Sequence, residues 1–421
     1  MSALEQVIPD GYKQTDVGVI PNDWNAKTFG QVMQIRHGKD QKAVQVSDGR
    51  YPIFGTGGKM GETNTALYDK PSVLIGRKGT INKPRFIDTP FWTVDTLFYS
   101  EVSKKESAKF IYYKFCMIDW MQYNEASGVP SLNASTIESV VASFPETSEE
   151  QAAIANALSD VDALLTELEK LIAKKQAIKT ATMQQLLTGK TRLPQFATYS
   201  EGEKQGQPKG TKSSELGEIP EDWDVSNIGS VLSITTGSRN TQDKLSDGQY
   251  PFFVRSQTIE RINTYSFDGE AVLTAGDGVG TGKIFHYMNG KFDYHQRVYL
   301  MYNFGDRIDG YYFYIYFSNF FYDRIMSMTA KSSVDSVRRE MIADMLITLP
   351  SKEEQTAIAT ILSDMDNEIQ TLEKRLAKTR QIKQGMMQQL LTGRTRLPFD
   401  SAPKGDFENA FEGKQEVENA N

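Results

Sequence analysis

The 421-residue chain has a single cysteine, Cys116, so no disulfide can form within it. Its three histidines, His37, His286 and His295, stand at no metal-ligand spacing with that cysteine or with one another, which argues against a zinc site. No apolar run approaches the roughly 18 to 20 residues that span a bilayer, and Met1-Ser2-Ala3-Leu4-Glu5 does not start a secretory signal. The expected location is therefore the cytoplasm. Positive charge is also scarce: 47 Lys and Arg face 54 Asp and Glu, and the formal net charge of −7 is a poor overall match to a polyanion. The deficit is uneven. Residues 399–421 hold six acids and two lysines and are expected to form a disordered acidic tail, whereas residues 70–114 hold nine basic residues against four acidic ones. A composition of 39% hydrophobic, 24% charged and 11% aromatic residues is that of a globular chain long enough for two or three domains.

Catalytic motifs are missing as well. The run Gly276-Asp277-Gly278-Val279-Gly280-Thr281-Gly282-Lys283 resembles a phosphate loop, but the required first glycine falls on Asp277 and Ile284 replaces the hydroxyl that binds Mg²⁺. There is no Asn/Asp-Pro-Pro-aromatic motif for amino methylation. The sequence also shows no strand, Gly-rich turn and helix suited to S-adenosylmethionine. The one Glu-x-Lys, Glu412-Gly413-Lys414, lies in the acidic tail away from any ordered carboxylate. No catalytic or metal-ligating residue is assigned, and the chain is expected not to be an enzyme by itself.

What is present is a repeat. Residues 149–194 align without gaps on residues 353–398, with 28 of 46 positions identical, including MQQLLTG and TRLP. Upstream, Val17-Gly18-Val19-Ile20-Pro21-Asn22-Asp23-Trp24 returns as Leu216-Gly217-Glu218-Ile219-Pro220-Glu221-Asp222-Trp223. Between these anchors the halves diverge but keep landmarks in order: Tyr51-Pro52 with Tyr250-Pro251, residues 72–76 with 271–276, and Ser127-Gly128-Val129 with Ser332-Ser333-Val334. A kept scaffold with a changed surface suggests two copies of one binding domain that see different ligands.

The repeated segment reads as a long helix. Ile154, Leu158, Val161, Leu165, Leu168 and Ile172 in the first copy, and Ile358, Leu362, Met365, Ile369, Leu372 and Leu376 in the second, follow the alternating four and three spacing of a coiled-coil seam. Ser148 with Gln151, and Ser351 with Glu354, have capping-box spacing; Gly189 and Gly393 suit left-handed C-caps. Some 40 residues make a rod of about 60 Å. Two such rods related by a two-fold axis pair antiparallel, which sends the two domains to opposite ends. The same symmetry places the second TRLP, residues 395–398, beside the first domain near Gly18. The expected fold is α+β: two pseudo-two-fold-related mixed α/β domains separated by two long helices in an antiparallel coiled coil. Within the domains, residues 73–76 and 92–99 read as strands, and 110–120 and 311–321 as buried helices. The expected divisions are 1–146 (first domain), 147–194 (first helix), 195–215 (linker), 216–350 (second domain), 351–398 (second helix) and 399–421 (tail).

Candidate binding residues lie in Gly-rich loops flanked by bases. In such loops backbone amides can approach phosphates while Arg and Lys reach guanine edges. The first domain offers Lys59, Arg77, Lys78, Thr80, Lys83 and Arg85; the second offers Arg255, Gln257, Thr281, Lys283, His295 and Arg297.

The order LGxIPxDW, variable domain, EEQ helix and QQLLTGxxRLP, given twice from about Gly11 to Pro398, resembles the specificity subunit of type I restriction-modification systems. The resemblance implies that each variable domain, a target recognition domain, reads one half of a bipartite double-stranded DNA site. It implies that the helices set the spacing and dock two methylation subunits for adenine-N6 methylation, to which restriction subunits can be added. S-adenosylmethionine, and ATP with Mg²⁺ where restriction subunits are present, would be bound by those partners and not by this chain. The family's DNA contacts follow no fixed motif, so the residues named above rest on loop chemistry. The competing reading is a coiled-coil scaffold whose repeated domains bind protein or sugar; the 12 basic residues against 17 acids in 216–350 favour it.

Overall fold

The computed structural model describes residues 8–328 and 336–398. The acidic tail, its Glu412-Gly413-Lys414, and the Ser332-Ser333-Val334 landmark lie outside the described residues. Two units emerge, the first built from two stretches of chain, Met1–Glu169 with Arg375–Asn421, and the second from one, Lys170–Lys374. The division falls within both long helices, Ser148–Leu187 and Lys352–Leu390, so each unit contains one domain, an arm of its own helix and an arm of the other.

Within each unit the two arms run antiparallel. In the first, Asp162 meets Lys383 at 2.5 Å and Glu169 meets Arg380 at 2.6 Å. In the second, Asp366 meets Lys179 at 2.5 Å and Glu368 meets Lys175 at 2.7 Å. None of the twelve predicted seam residues is exposed. The seam has a second task, however. Ile154 and Leu158 enter the first domain's core beside Phe110, Phe144, Leu390 and Leu391, and Ile358 and Leu362 enter the second's beside Tyr312, Ile347, Leu186 and Leu187. Further along each helix the seam turns polar, with the repeated Lys179 and Lys383 in place of apolar residues. The expected cap needs one correction: the hydroxyl that accepts from Glu150 N–H is that of Thr147, at 3.3 Å, because Ser148 is already the first helical residue. The second copy caps as expected, Ser351 Oγ accepting from Glu354 N–H at 3.2 Å. Gly189 and Gly393 close the helices at φ of +69° and +72°.

The domains are α+β. In the first, Met33–His37, Leu97–Val102, Ser72–Gly76 and Arg85–Ile87 form one antiparallel sheet in that spatial order. Trp92–Thr93, Tyr51–Gly55, Gly58–Thr63 and Gln45–Val46 form another. In the second domain the matching elements make one six-stranded sheet, because the ten-residue strand Phe285–Tyr294 pairs with Phe267–Ala275 along one edge and with Tyr250–Phe253 along the other. Its counterpart is interrupted by Asp88-Thr89-Pro90, and a proline, having no N–H to give, ends a ladder. The predicted strand over 92–99 is likewise two strands, parted by a turn at 94–96. The buried helices are Ala108–Met117, followed by a 3₁₀ turn at Trp120–Tyr123, and Gly310–Ser327. Part of the expected linker is ordered: Thr211–Ser214 forms a hairpin with Gly217–Pro220.

Candidate nucleic-acid interface

The repeated motifs meet at one junction in each unit. In the second unit Arg192, from TRLP, donates through Nε to Glu354 Oε1 at 3.0 Å and through its terminal nitrogens to Asp222 at 2.8 and 3.1 Å. Trp223 Nε1 donates to Glu354 Oε2 at 3.1 Å. In the first unit Arg396 repeats the pattern, with Glu150 at 2.6 and 2.9 Å and Asp23 at 2.9 Å on both oxygens. Tyr12 Oη donates to the Gly393 carbonyl at 3.0 Å. The second TRLP therefore lies against the start of the first domain, as the repeat predicts. Two side chains break the symmetry. Trp24 Nε1, the counterpart of the Trp223 donor, is buried with no hydrogen-bond partner among the described residues. Lys114, fully enclosed where the second domain has Tyr316, donates to Ser143 Oγ at 2.8 Å and to the Leu391 carbonyl, and burial pushes its pKa down to about 7.

Most of the candidate reading residues lie in loops after the strands, while Lys59 and Arg85 lie within the strands Gly58–Thr63 and Arg85–Ile87. In the first domain the loop leaving Ser72–Gly76 is anchored on two sides. Arg77 and Lys78 N–H donate to the Thr96 carbonyl at 2.8 and 3.3 Å, and Gly79 N–H donates to Pro130 O at 2.8 Å. Gly79 needs its positive φ of +86° to make that turn. Arg85 reaches the Thr56 carbonyl at 3.5 Å, which brings the 55–58 turn beside this loop. Lys78 and Lys83 are exposed, and Thr80 is half-buried. Lys59 points along its own strand to Glu62, 2.5 Å away.

In the second domain the Gly-rich run joins strand Phe267–Ala275 to strand Phe285–Tyr294. It is a hairpin connection with no helix after it, so it lacks the architecture of a phosphate loop. Asp277 takes Arg255 at 2.8 Å and Arg297 at 3.7 Å. Thr281 turns its hydroxyl inward to the Gly278 carbonyl at 2.6 Å, and buried His295 accepts Arg297 N–H on Nδ1 at 2.9 Å, so both shape the loops from inside. Burial, then the neighbouring Arg255, lowers the His295 pKa, in keeping with a neutral ring that can accept. Lys283 lies over the Tyr322 ring at 5.0 Å, and Gln257 is exposed.

The structure adds residues that sequence reasoning missed. Val337 N–H donates to Gly276 O at 2.7 Å and Ser336 bridges to Asp277, which brings exposed Arg338 and Arg339 to the loop. In the first domain Leu132 N–H donates to Arg77 O and Ser131 bridges to Lys78. Ser131 and Ser336 each stand four residues beyond the Ser127 and Ser332 landmarks, so the signal was in the sequence, but the paired partner was not.

Two repeated domains, each with the repeated junction, divergent charged loops and a long helix after it, define a two-domain recognition protein. The profile of the type I restriction modification DNA specificity domain matches this chain twice, over residues 21–180 and 220–383, and the chain belongs to that family of specificity subunits. It is 30% identical over 176 residues to the type I restriction enzyme EcoDI specificity subunit of Escherichia coli, a stretch covering 42% of this chain and 38% of that protein. It is 24% identical over 437 residues to the MjaVIII specificity subunit of Methanocaldococcus jannaschii, covering 90% of this chain and 94% of that one. The crystal structure of a type I restriction-modification S subunit from M. genitalium shares the fold, with a TM-score of 0.63 at 15% identity over 87% of this chain and 96% of the other. Among the described residues no helix is long and apolar enough to cross a membrane.

Proposed function

We propose that this chain is the DNA-reading subunit of a type I restriction-modification complex, each domain recognising one half of a bipartite site. The long helices set the spacing between half-sites and dock two methylation subunits that methylate adenine N6. S-adenosylmethionine, and ATP with Mg²⁺ where restriction subunits join, belong to those partners, and this chain supplies recognition without catalytic groups. The observation that carries the reading is the contrast between kept and changed positions. The arginine–carboxylate contacts recur in both units, whereas the loop after the central strand presents Lys78 in one domain and Asp277 in the other, each bridged to the equivalent serine. A duplex keeps the same phosphate backbone chemistry from site to site while its base edges and local shape change, so a reader of two half-sites varies its loops and keeps its frame.

On this reading Lys59, Arg77, Lys78, Thr80, Lys83 and Arg85 serve the first half-site, and Arg255, Gln257, Lys283 and Arg297 the second, with Thr281 and His295 shaping the second set of loops. Support for docking on the helices comes from Leu164, Leu171 and Ile178, which stand seven residues apart on the first helix and remain exposed. Mapping methylated adenines across the genome with and without this gene tests the proposal. It predicts loss of a bipartite motif on deletion; unchanged methylation would refute it.

A further inference from the structure

Asp277 is out of place for a DNA reader. A carboxylate on a DNA-binding loop would repel phosphates, and the first domain has Lys78 at the equivalent position. Its surroundings give it a task. One carboxylate oxygen holds an Arg255 terminal nitrogen at 2.8 Å, and the other faces Arg297 Nε at 3.7 Å. The backbone of Arg297 is fixed from both sides: its N–H goes to His295 Nδ1 at 2.9 Å, and its carbonyl accepts Gly276 N–H at 2.7 Å. Because Asp277 engages Arg297 from the Nε side, both terminal nitrogens of that arginine keep no protein partner among the described residues. Its side chain is two-thirds exposed. A guanidinium fork presented this way matches the O6 and N7 acceptors of guanine. Arg339 stands two residues after Val337, whose N–H donates to the Gly276 carbonyl of the same loop, and both it and Arg297 oppose the rise that burial gives the Tyr299 pKa.

We infer that Asp277 is the specificity-determining positioning residue of the second domain, aligning Arg297, with Arg255 beside it, to read a guanine in the second half-site. The inference rests on the DNA-reading proposal above. Orientation by a charged partner is what turns an arginine from a general phosphate contact into a base reader, since a free guanidinium swings to the nearest phosphate. Removing Asp277 therefore raises general affinity while lowering discrimination.

The test uses the full chain assembled with its methylation subunits. The probes are duplexes carrying the mapped bipartite site, the same site with each base in turn at every second-half position, and an unrelated duplex. For Asp277→Ala we expect tighter binding to the unrelated duplex. Preference for guanine at one second-half position falls by roughly 5- to 150-fold, and first-half preferences stay intact. Arg297→Ala loses preference at the same position but weakens binding. Intact first-half discrimination in the same assay shows that the variant is folded and assembled. If the alanine variant fails to assemble, Asp277→Asn, which keeps the side chain's size, decides by the same readout. Second-half preferences that survive in these variants, while the parent still discriminates, overturn the inference and leave the DNA-reading proposal standing. A parent that discriminates at no position overturns that proposal instead.

Discussion

Replacing Arg192 by Met removes the centre of the second unit's junction, and the cost follows from what is left behind. Glu354 is 2% exposed and loses both of its guanidinium contacts, keeping only the Trp223 indole N–H. Asp222 is one-third exposed and retains Lys209 at 2.7 Å. A carboxylate stranded in a buried site costs about 3–5 kcal/mol, whereas the solvent-facing pair with Asp222 contributes about 0–1 kcal/mol. The variant should therefore lose about 3–5 kcal/mol, which is on the order of 100- to several-thousand-fold in the folding equilibrium at 1.4 kcal/mol per tenfold. Because the loss is mostly an unpaired charge, Glu354→Gln in the same chain should recover the larger part of it, the neutral amide still accepting from Trp223. Hydrogen exchange resolved by peptide, read at 216–223 and 352–362 along a urea series, reports on this junction separately from the first unit. An Arg192→Met chain within about 1 kcal/mol of the parent would refute the reasoning, as would a double variant no better than the single one.

Lys114 gives a pH signature. Its folded pKa of about 7 lies below the usual lysine value of roughly 10.4, so between these the unfolded chain binds a proton that the folded one does not. The Lys114 contribution to stability should then rise with pH from about 7 to about 10; Lys114→Met should remove that contribution from the pH slope of urea midpoints, and an unchanged slope would count against it. Gly393→Ala places a Cβ 2.6 Å from Pro21 at a positive φ and should lower the melting temperature, while Gly385→Ala, mid-helix with nothing within 4 Å, should gain about 0.5–1 kcal/mol. A fragment ending near Gln205 carries Arg192 in the same TRLP as Arg396, so a second copy can supply the missing partner for Glu150 and Asp23. Ultracentrifugation should show a symmetric dimer, and its DNA site should be an inverted repeat; a folded monomer or a direct-repeat site would contradict this.

The frame was legible because its residues answer to each other. Glu150 and Glu354, Arg396 and Arg192, and Asp23 and Asp222 are repeated since each junction needs all three, and the heptad stripe shows where the helices are buried. The loops were not legible to the same degree. That Asp277 binds Arg255 and Arg297 depends on strand turns brought together from sites 20 or more residues apart, and no local spacing encodes it. The approach of Arg338 and Arg339 to that loop depends on a bridge from Ser336 across some sixty residues. Pro90 could have announced the split of the first domain's sheet, since a strand interior rarely contains proline. Thr147 displaced Ser148 as the cap because two adjacent hydroxyl residues both fit the pattern, and only the start of the helix decides between them.

The central claim is that two independent readers share one frame. Exchanging residues 211–350 for the second domain of another specificity subunit, then mapping methylated adenines across the genome, tests it most directly. The predicted result is a bipartite motif altered in one half, with the other half and the separation between them unchanged. A motif altered in both halves, or in neither, would contradict it.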